Sequence, residues 1–409
     1  MSFDFTTVMR RDLPAPAKRW DGFPEYNFVG GHNDGDNVPV EDFIAASSAV
    51  LRREGRSLAT YGLNSGPQGY RPLRDFIAAN LGQRTGIKCD ADDILITSGS
   101  LQALDLVNDL LVESGDTVIV EAATYGGALS RLQRRGVNYV GVALDEDGMR
   151  SDDLNATLER LKGDGVQPKY IYTIPTVQNP TGSVMSKARR LEILGVAEAH
   201  GVPIFEDDCY AALLMEGDRP PAIRALDTGS RVIYCGSFSK TLTPALRVGY
   251  VVADWPVLSR MLALKSDAGT GAIEQMMLAE YCTTQFDSHV TTLVAALKAK
   301  RDAIVEALDE SFGTAARYDV PKGGIFIWVT LPENVDTSRL ATVALGSGIA
   351  LNPGAEWSSD AEDGRNRLRL CFANPTKETI RAGVAKLANI CHQEFGVPVR
   401  SANVERSGD

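Results

Sequence analysis

The chain has 409 residues, too many for one ordinary core, so two or three domains are expected. With 44% apolar and 23% charged residues the composition is globular, and a formal net charge of -11 excludes a basic stripe that could neutralise nucleic-acid phosphates. No 18 apolar residues run together and the N-terminus has no apolar signal core, so a cytoplasmic protein without a membrane partner is expected.

The first fifty residues contain one clear helix, 40–55, and are expected to pack as a segment (1–50) on a C-terminal unit. Short apolar runs rich in β-branched residues then recur between 93 and 253: DILIT, DTVIVE, NYVGVAL, KYIYTIP, PIFEDD, RVIYCGS and RVGYVVA. Amphipathic stretches at 101–113, 127–135 and 187–200 separate several of them. Strands buried on both faces and joined through helices make a parallel sheet. A large α/β domain over 51–290 follows, with a mostly parallel sheet of seven strands. Its last two strands, joined by a short loop, form one antiparallel pair. Residues 271–310 read as a long helix leading out of that domain. A smaller α+β domain over 291–396 carries strands at 324–331 and 367–373 and a helix at 377–395. The polar stretch 397–409 reads as a disordered tail.

Six cysteines (Cys89, Cys209, Cys235, Cys282, Cys371 and Cys391) lie scattered without a CxxC pair or a histidine at ligand spacing. Reduced thiols are expected, with neither a metal site nor a disulfide scaffold.

The most informative stretch is GSFSKTLTPALRVGY, 236–250. A strand ends at Cys235, hydroxyl residues surround the lone Lys240, and Arg247 follows seven residues later. A lysine attacks a carbonyl only when its amine is neutral and held still, which desolvation and cationic neighbours favour. Serine and arginine beside it supply donors for a dianionic phosphate. Upstream, TSGSLQALDL (97–106) follows a strand and opens a helix. Such an N-terminus is an anion site, with Gly99 allowing close approach; Ser100 there also suits a plain helix cap. IFEDDCY (204–210) ends a strand, where α/β sheets place ligands. VQNPTG (177–182) reads as a turn.

These strings resemble the fold-type-I aminotransferases that use pyridoxal 5'-phosphate (PLP), over about residues 25 to 395. The broad aromatic, kynurenine and 2-aminoadipate group is the nearest match. The resemblance implies that Lys240 carries PLP as a Schiff base. It gives the cofactor phosphate to Gly99, Ser100, the backbone of Leu101, Ser237, Ser239 and Arg247. It pairs Asp207 with the pyridine nitrogen, and directs Asn179 and Tyr210 to the ring hydroxyl oxygen. Tyr125, in EAATYGGAL, would stack on the ring. In RLRLCFANP (367–375) strand alternation puts Arg367 and Arg369 on one face without choosing between them. The family alignment favours Arg369 for the substrate α-carboxylate. In LATYGLNSGPQGYRPLR (58–74), Tyr61 matches the tyrosine that reaches the partner subunit's cofactor, which implies a homodimer with shared sites.

Gly30 and Gly31 fit the family's substrate loop, but His32, Asn33 and Asp34 replace its usual apolar residue and proline. Gly31 and His32 would border the substrate. A carboxylate at Asp34 would favour a basic side chain on the donor. The other reading turns His32 and Asp34 outward, holding a glycine-rich loop. The activity implied is transfer of an amino group between an L-amino acid and a 2-oxo acid, 2-oxoglutarate being the expected acceptor, by a ping-pong cycle. Lyase, racemase, decarboxylase or oxidase chemistry with the same cofactor is one alternative. A PLP-binding regulatory domain is another, and here only about 25 residues precede the homologous region.

Overall fold

The computed structural model describes residues 3–11, 13–17, 19–20 and 22–399. Residues 400–409 of the expected tail lie outside them.

Seven strands form the central sheet: β1 (Ile94–Thr97), β2 (Thr117–Glu121), β3 (Asn138–Val142), β4 (Ile171–Thr173), β5 (Ile204–Asp207), β6 (Val232–Ser237) and β7 (Gly249–Val252). Their spatial order is β1-β7-β6-β5-β4-β2-β3. Only β7 runs antiparallel, against both β1 and β6. Every residue of β1, β2 and β4 is buried, which is why apolar residues fill both faces of these strands, with polar residues at their ends. The edge strand β3 is half-exposed.

Helices cover both faces. They include α1 (Val40–Glu54), α2 (Arg71–Thr85), α3 (Ser100–Leu111), α4 (Gly126–Arg134), α5 (Ser151–Gly163) and α6 (Lys187–His200). The start of α6 is fixed by Ser186, whose Oγ accepts the Arg189 N–H at 3.2 Å. After α7 (Trp255–Leu264), the 41-residue α8 (Ala272–Phe312) runs from one core into the other. Met276, Tyr281 and Phe286 pack with Ile96 and Tyr234 of the sheet, whereas Ile304, Leu308 and Phe312 pack with Ile327 and Leu370 of the C-terminal unit.

That unit has three antiparallel strands, β8 (Phe326–Thr330), β9 (Asn352–Pro353) and β10 (Arg367–Cys371), in the order β8-β10-β9, with α9 (Thr337–Gly346) and α10 (Lys377–Phe395). The N-terminal segment divides between the two cores. Tyr26–Asn27 pairs in parallel with Ile349–Ala350, and Phe28 lies in the C-terminal core. By contrast Ala46 and Val50 of α1 pack with Leu73, Ile96 and Met276, so α1 departs from the expectation that the first fifty residues lie on the C-terminal unit. The buried face of α1 lies against the first half of α8, where the Phe43 ring meets Tyr281 edge-on at 5.0 Å. All six cysteines are free. No helix among the described residues is long and apolar enough to cross a membrane.

Candidate active site

The site gathers where the parallel strands end, between the sheet and the C-terminal unit. Three acids follow one another at the end of β5, and the pleat sends each to a different partner. Glu206, buried, accepts the backbone N–H groups of Ile223 at 2.8 Å and Arg224 at 2.9 Å. Asp208 accepts from Arg219 Nη2 at 2.7 Å and from the Tyr234 hydroxyl at 2.9 Å. Asp207 Oδ2 accepts the Tyr172 hydroxyl at 2.7 Å, while its Oδ1 is buried with no partner among the described residues. Burial raises the Asp207 pKa.

Lys240 follows β6. Its Nζ donates to the Gly31 carbonyl and lies 5.8 Å from the centroid of the Tyr210 ring. Burial lowers its pKa, and the charges of Arg369 and Arg247 act in the same direction. Both effects favour a neutral, nucleophilic amine. The Tyr210 ring meets Phe326 edge-on at 5.2 Å, and its hydroxyl accepts Asn179 Nδ2 at 3.4 Å. Asn179 Oδ1 in turn accepts Arg369 Nη1 at 3.0 Å.

The structure separates the two arginines of β10. Arg369 is 4% exposed and pairs in register with Trp328, while Arg367 is half-buried opposite Thr330. Arg369 Nη2 donates to the Val29 carbonyl at 3.2 Å, and its Nε is buried without a partner among the described residues.

Gly99 caps α3 with φ of +79°, a conformation that favours glycine. A Cβ there would lie 2.3 Å from Arg247 Nη2, which itself donates to the Ser98 carbonyl at 3.1 Å. Ser100 and Leu101 open α3, where the first backbone N–H groups have no helical acceptor. Ser237 Oγ accepts the Ser239 N–H at 3.1 Å on the same side. Tyr125 caps α4 and its ring lies 5.8 Å from that of Trp357.

One of the two readings of the N-terminal loop is set aside. Asp34 is not offered to a ligand: it is ion-paired with Lys300, and its Oδ1 accepts from the backbone and side chain of Asn37 at 3.2 and 2.8 Å. Lys300 also donates to the Ala373 carbonyl at 2.8 Å, so the pair ties the N-terminal loop to the chain after β10. His32 Nδ1 lies 3.2 Å from the Asn33 carbonyl and 3.3 Å from Asn374 Nδ2, with Phe23 beside the ring at 6.2 Å. Tyr61 stands apart from the cluster, 90% exposed. Sequence reasoning missed Tyr172, Trp357 and the Val29 carbonyl. A hydroxyl inside the buried run KYIYTIP was the one signal for Tyr172.

Pyridoxal phosphate suits these residues. The spare carboxylate oxygen of Asp207 can accept a pyridinium N–H, the α3 terminus and Arg247 can take a phosphate, and Lys240 can condense with an aldehyde. A doubly wound sheet carrying such a lysine at its carboxyl edge defines a PLP-dependent enzyme of fold type I. The match then narrows to one family: a model for aminotransferase class I and II fits residues 26–387, and the chain belongs to that family. It is 34% identical to aromatic-amino-acid aminotransferase 1 of Thermococcus litoralis, over 90% of this chain and 88% of the relative. The multiple substrate aminotransferase of Thermococcus profundus superposes with a TM-score of 0.88 at 31% identity, over 96% of this chain and all (100%) of that one. The kynurenine aminotransferase of Pyrococcus horikoshii, solved with pyridoxamine phosphate, kynurenine and its product, gives 0.85 at 34% identity, over 90% and 91% of the two chains. The protein is a PLP-dependent transaminase.

Proposed function

We propose that the protein is a homodimeric aminotransferase that takes the amino group of aromatic and other large L-amino acids and passes it, in a ping-pong cycle, to 2-oxoglutarate. The observation that carries this reading is the chain of contacts from Lys240 to the Tyr210 ring, from Tyr210 to Asn179 and from Asn179 to Arg369. It joins the amine that would react to the guanidinium that would hold the substrate.

When bound, PLP supplies an aldehyde that condenses with amines and a protonated ring that delocalises the electrons of a breaking Cα–H bond. Asp207 keeps the ring nitrogen protonated through its spare oxygen. Asn179 and Tyr210 donate to the ring hydroxyl oxygen, and Tyr125 covers the ring. Gly99, Ser100, the Leu101 backbone, Ser237, Ser239 and Arg247 hold the phosphate. Arg369 takes the α-carboxylate in a charge-assisted fork. Lys240, whose pKa desolvation lowers, accepts the substrate Cα proton. Gly31 and His32 border the substrate, and the Asp34 carboxylate is engaged by Lys300 rather than free to select basic donors.

Tyr61 of each protomer reaches the phosphate of its partner, a reading supported by a ring left 90% exposed in the single chain. Six free thiols suit a reducing, cytoplasmic compartment. The acidic net charge suits a protein without nucleic-acid partners.

The test is a half-reaction. Purified yellow enzyme mixed with single donors, with no oxo acid present, should release stoichiometric 2-oxo acid and retain pyridoxamine phosphate. Turnover that leaves the cofactor as PLP would overturn transamination in favour of another PLP outcome.

A further inference from the structure

The short turn Gly354–Trp357 ends on an indole that is 7% exposed. The Arg369 guanidinium lies over it, with Cζ 3.8 Å from the ring centroid, while Phe326 stands 5.2 Å from the same carbon. The Tyr125 ring lies 5.8 Å from the indole.

The backbone around Trp357 is anchored to the large domain. Its carbonyl accepts the Thr124 N–H at 2.8 Å, the Ser359 N–H donates to the Ala122 carbonyl at 2.8 Å, and Ala123 and Ser358 form an antiparallel bridge. Residues 357–359 therefore lie as a short added strand along the chain that leaves β2. Close approach at the next turn requires glycine, because a Cβ on Gly126 would sit 2.3 Å from the Glu356 carbonyl oxygen. The indole is fixed from both sides.

Arg369 has five N–H donors in one plane. One nitrogen serves Asn179, one serves the Val29 carbonyl, and Nε is buried with no partner among the described residues. A flat cation whose face is covered by an indole cannot tilt without losing a desolvated cation–π contact. Its unused donors then stay in a fixed plane.

We infer that Trp357 is a positioning residue for substrate recognition, holding the Arg369 guanidinium in the plane in which it receives the α-carboxylate. The inference rests on the proposed role of Arg369. It adds that carboxylate affinity is set by an aromatic side chain that need not touch the carboxylate.

The experiment compares Trp357→Leu, Trp357→Phe and Arg369→Lys holoenzymes, using 3-phenylpropionate and its neutral amide as unreactive ligands. Trp357→Leu should weaken 3-phenylpropionate about tenfold or more and raise KM for donor and oxo acid alike. The amide affinity, the cofactor affinity and the visible absorbance of the cofactor should hold. Trp357→Phe should restore most of the loss. If the acid and the amide weaken equally, the indole is only an apolar wall and the inference fails; it fails too if neither weakens. Should Arg369→Lys lose the acid while Trp357→Leu keeps it, the positioning role falls and the Arg369 reading stands. Should Arg369→Lys also keep it, the Arg369 reading falls and the inference with it.

Discussion

Arg369 and Asn179, 190 residues apart in the chain, share a 3.0 Å hydrogen bond from Nη1 to Oδ1, and Asn179 turns its Nδ2 to the Tyr210 hydroxyl. One amide thus bridges the arginine proposed to grip the substrate and the phenol proposed to face the cofactor. Asn179→Ala leaves a buried guanidinium donor unpaired, at a cost of about 1–3 kcal/mol. It should lower kcat/KM by about tenfold to a hundredfold and shift the pH at which the cofactor's visible band changes. A loss confined to KM, with the band unmoved, would separate the two roles.

Lys240→Ala should fold and bind cofactor, yet show no transamination. Borohydride reduction of the wild type followed by peptide mapping should find the pyridoxyl group on Lys240. Label on another lysine would displace the assignment.

Asp207→Asn should slow Cα deprotonation at least tenfold, or about 1.4 kcal/mol, in single-turnover experiments. A pH effect accompanies it in the cofactor-free protein. Burial raises the Asp207 pKa, so its folded value lies above its unfolded one. Between the two values the folded state binds more protons than the unfolded state, and stability falls as pH rises through that window. Urea unfolding should show this fall in the wild-type apoprotein and a smaller one in Asp207→Asn, where the buried carboxyls of Glu121 and Glu206, also raised by burial, still contribute.

Inactive Tyr61→Phe and Lys240→Ala homodimers, mixed under conditions of proven subunit exchange, should recover partial activity. In the hybrid, one of two shared sites carries neither change. No recovery would refute the shared site.

Asp34→Ala should destabilise the fold by about 2 kcal/mol, because the Lys300 ammonium loses its charged partner. It should leave the ranking of donors unchanged, with ornithine and lysine no better than phenylalanine. A ranking that shifts toward or away from basic donors would return Asp34 to the substrate pocket.

The strands were legible because fully buried segments such as Ile94–Thr97 and Thr117–Glu121 have no polar face to interrupt the pattern. The residues assigned to the cofactor were legible where a turn or helix start forces particular side chains, as around Gly99 and Lys240. The Asp34–Lys300 pair was not, because its partners lie 266 residues apart and loop spacing carries no direction. Strand alternation alone treats Arg369 and Arg367 alike; the family resemblance favours Arg369, and burial and pairing with Trp328 set it apart in the fold. Trp357 lies in a loop whose conformation is set by its docking on Ala122–Thr124, a contact with no local signature.

The helix Ala272–Phe312 is about 60 Å long at 1.5 Å per residue. Its first turns complete one core and its last turns complete the other. The chain therefore has no seam at which it could be cut into two self-sufficient halves. A fragment ending near residue 290 keeps a sheet with an amputated helix, and one beginning there must nucleate the same helix without the packing that starts it. Heat or denaturant should take both cores apart in one cooperative event.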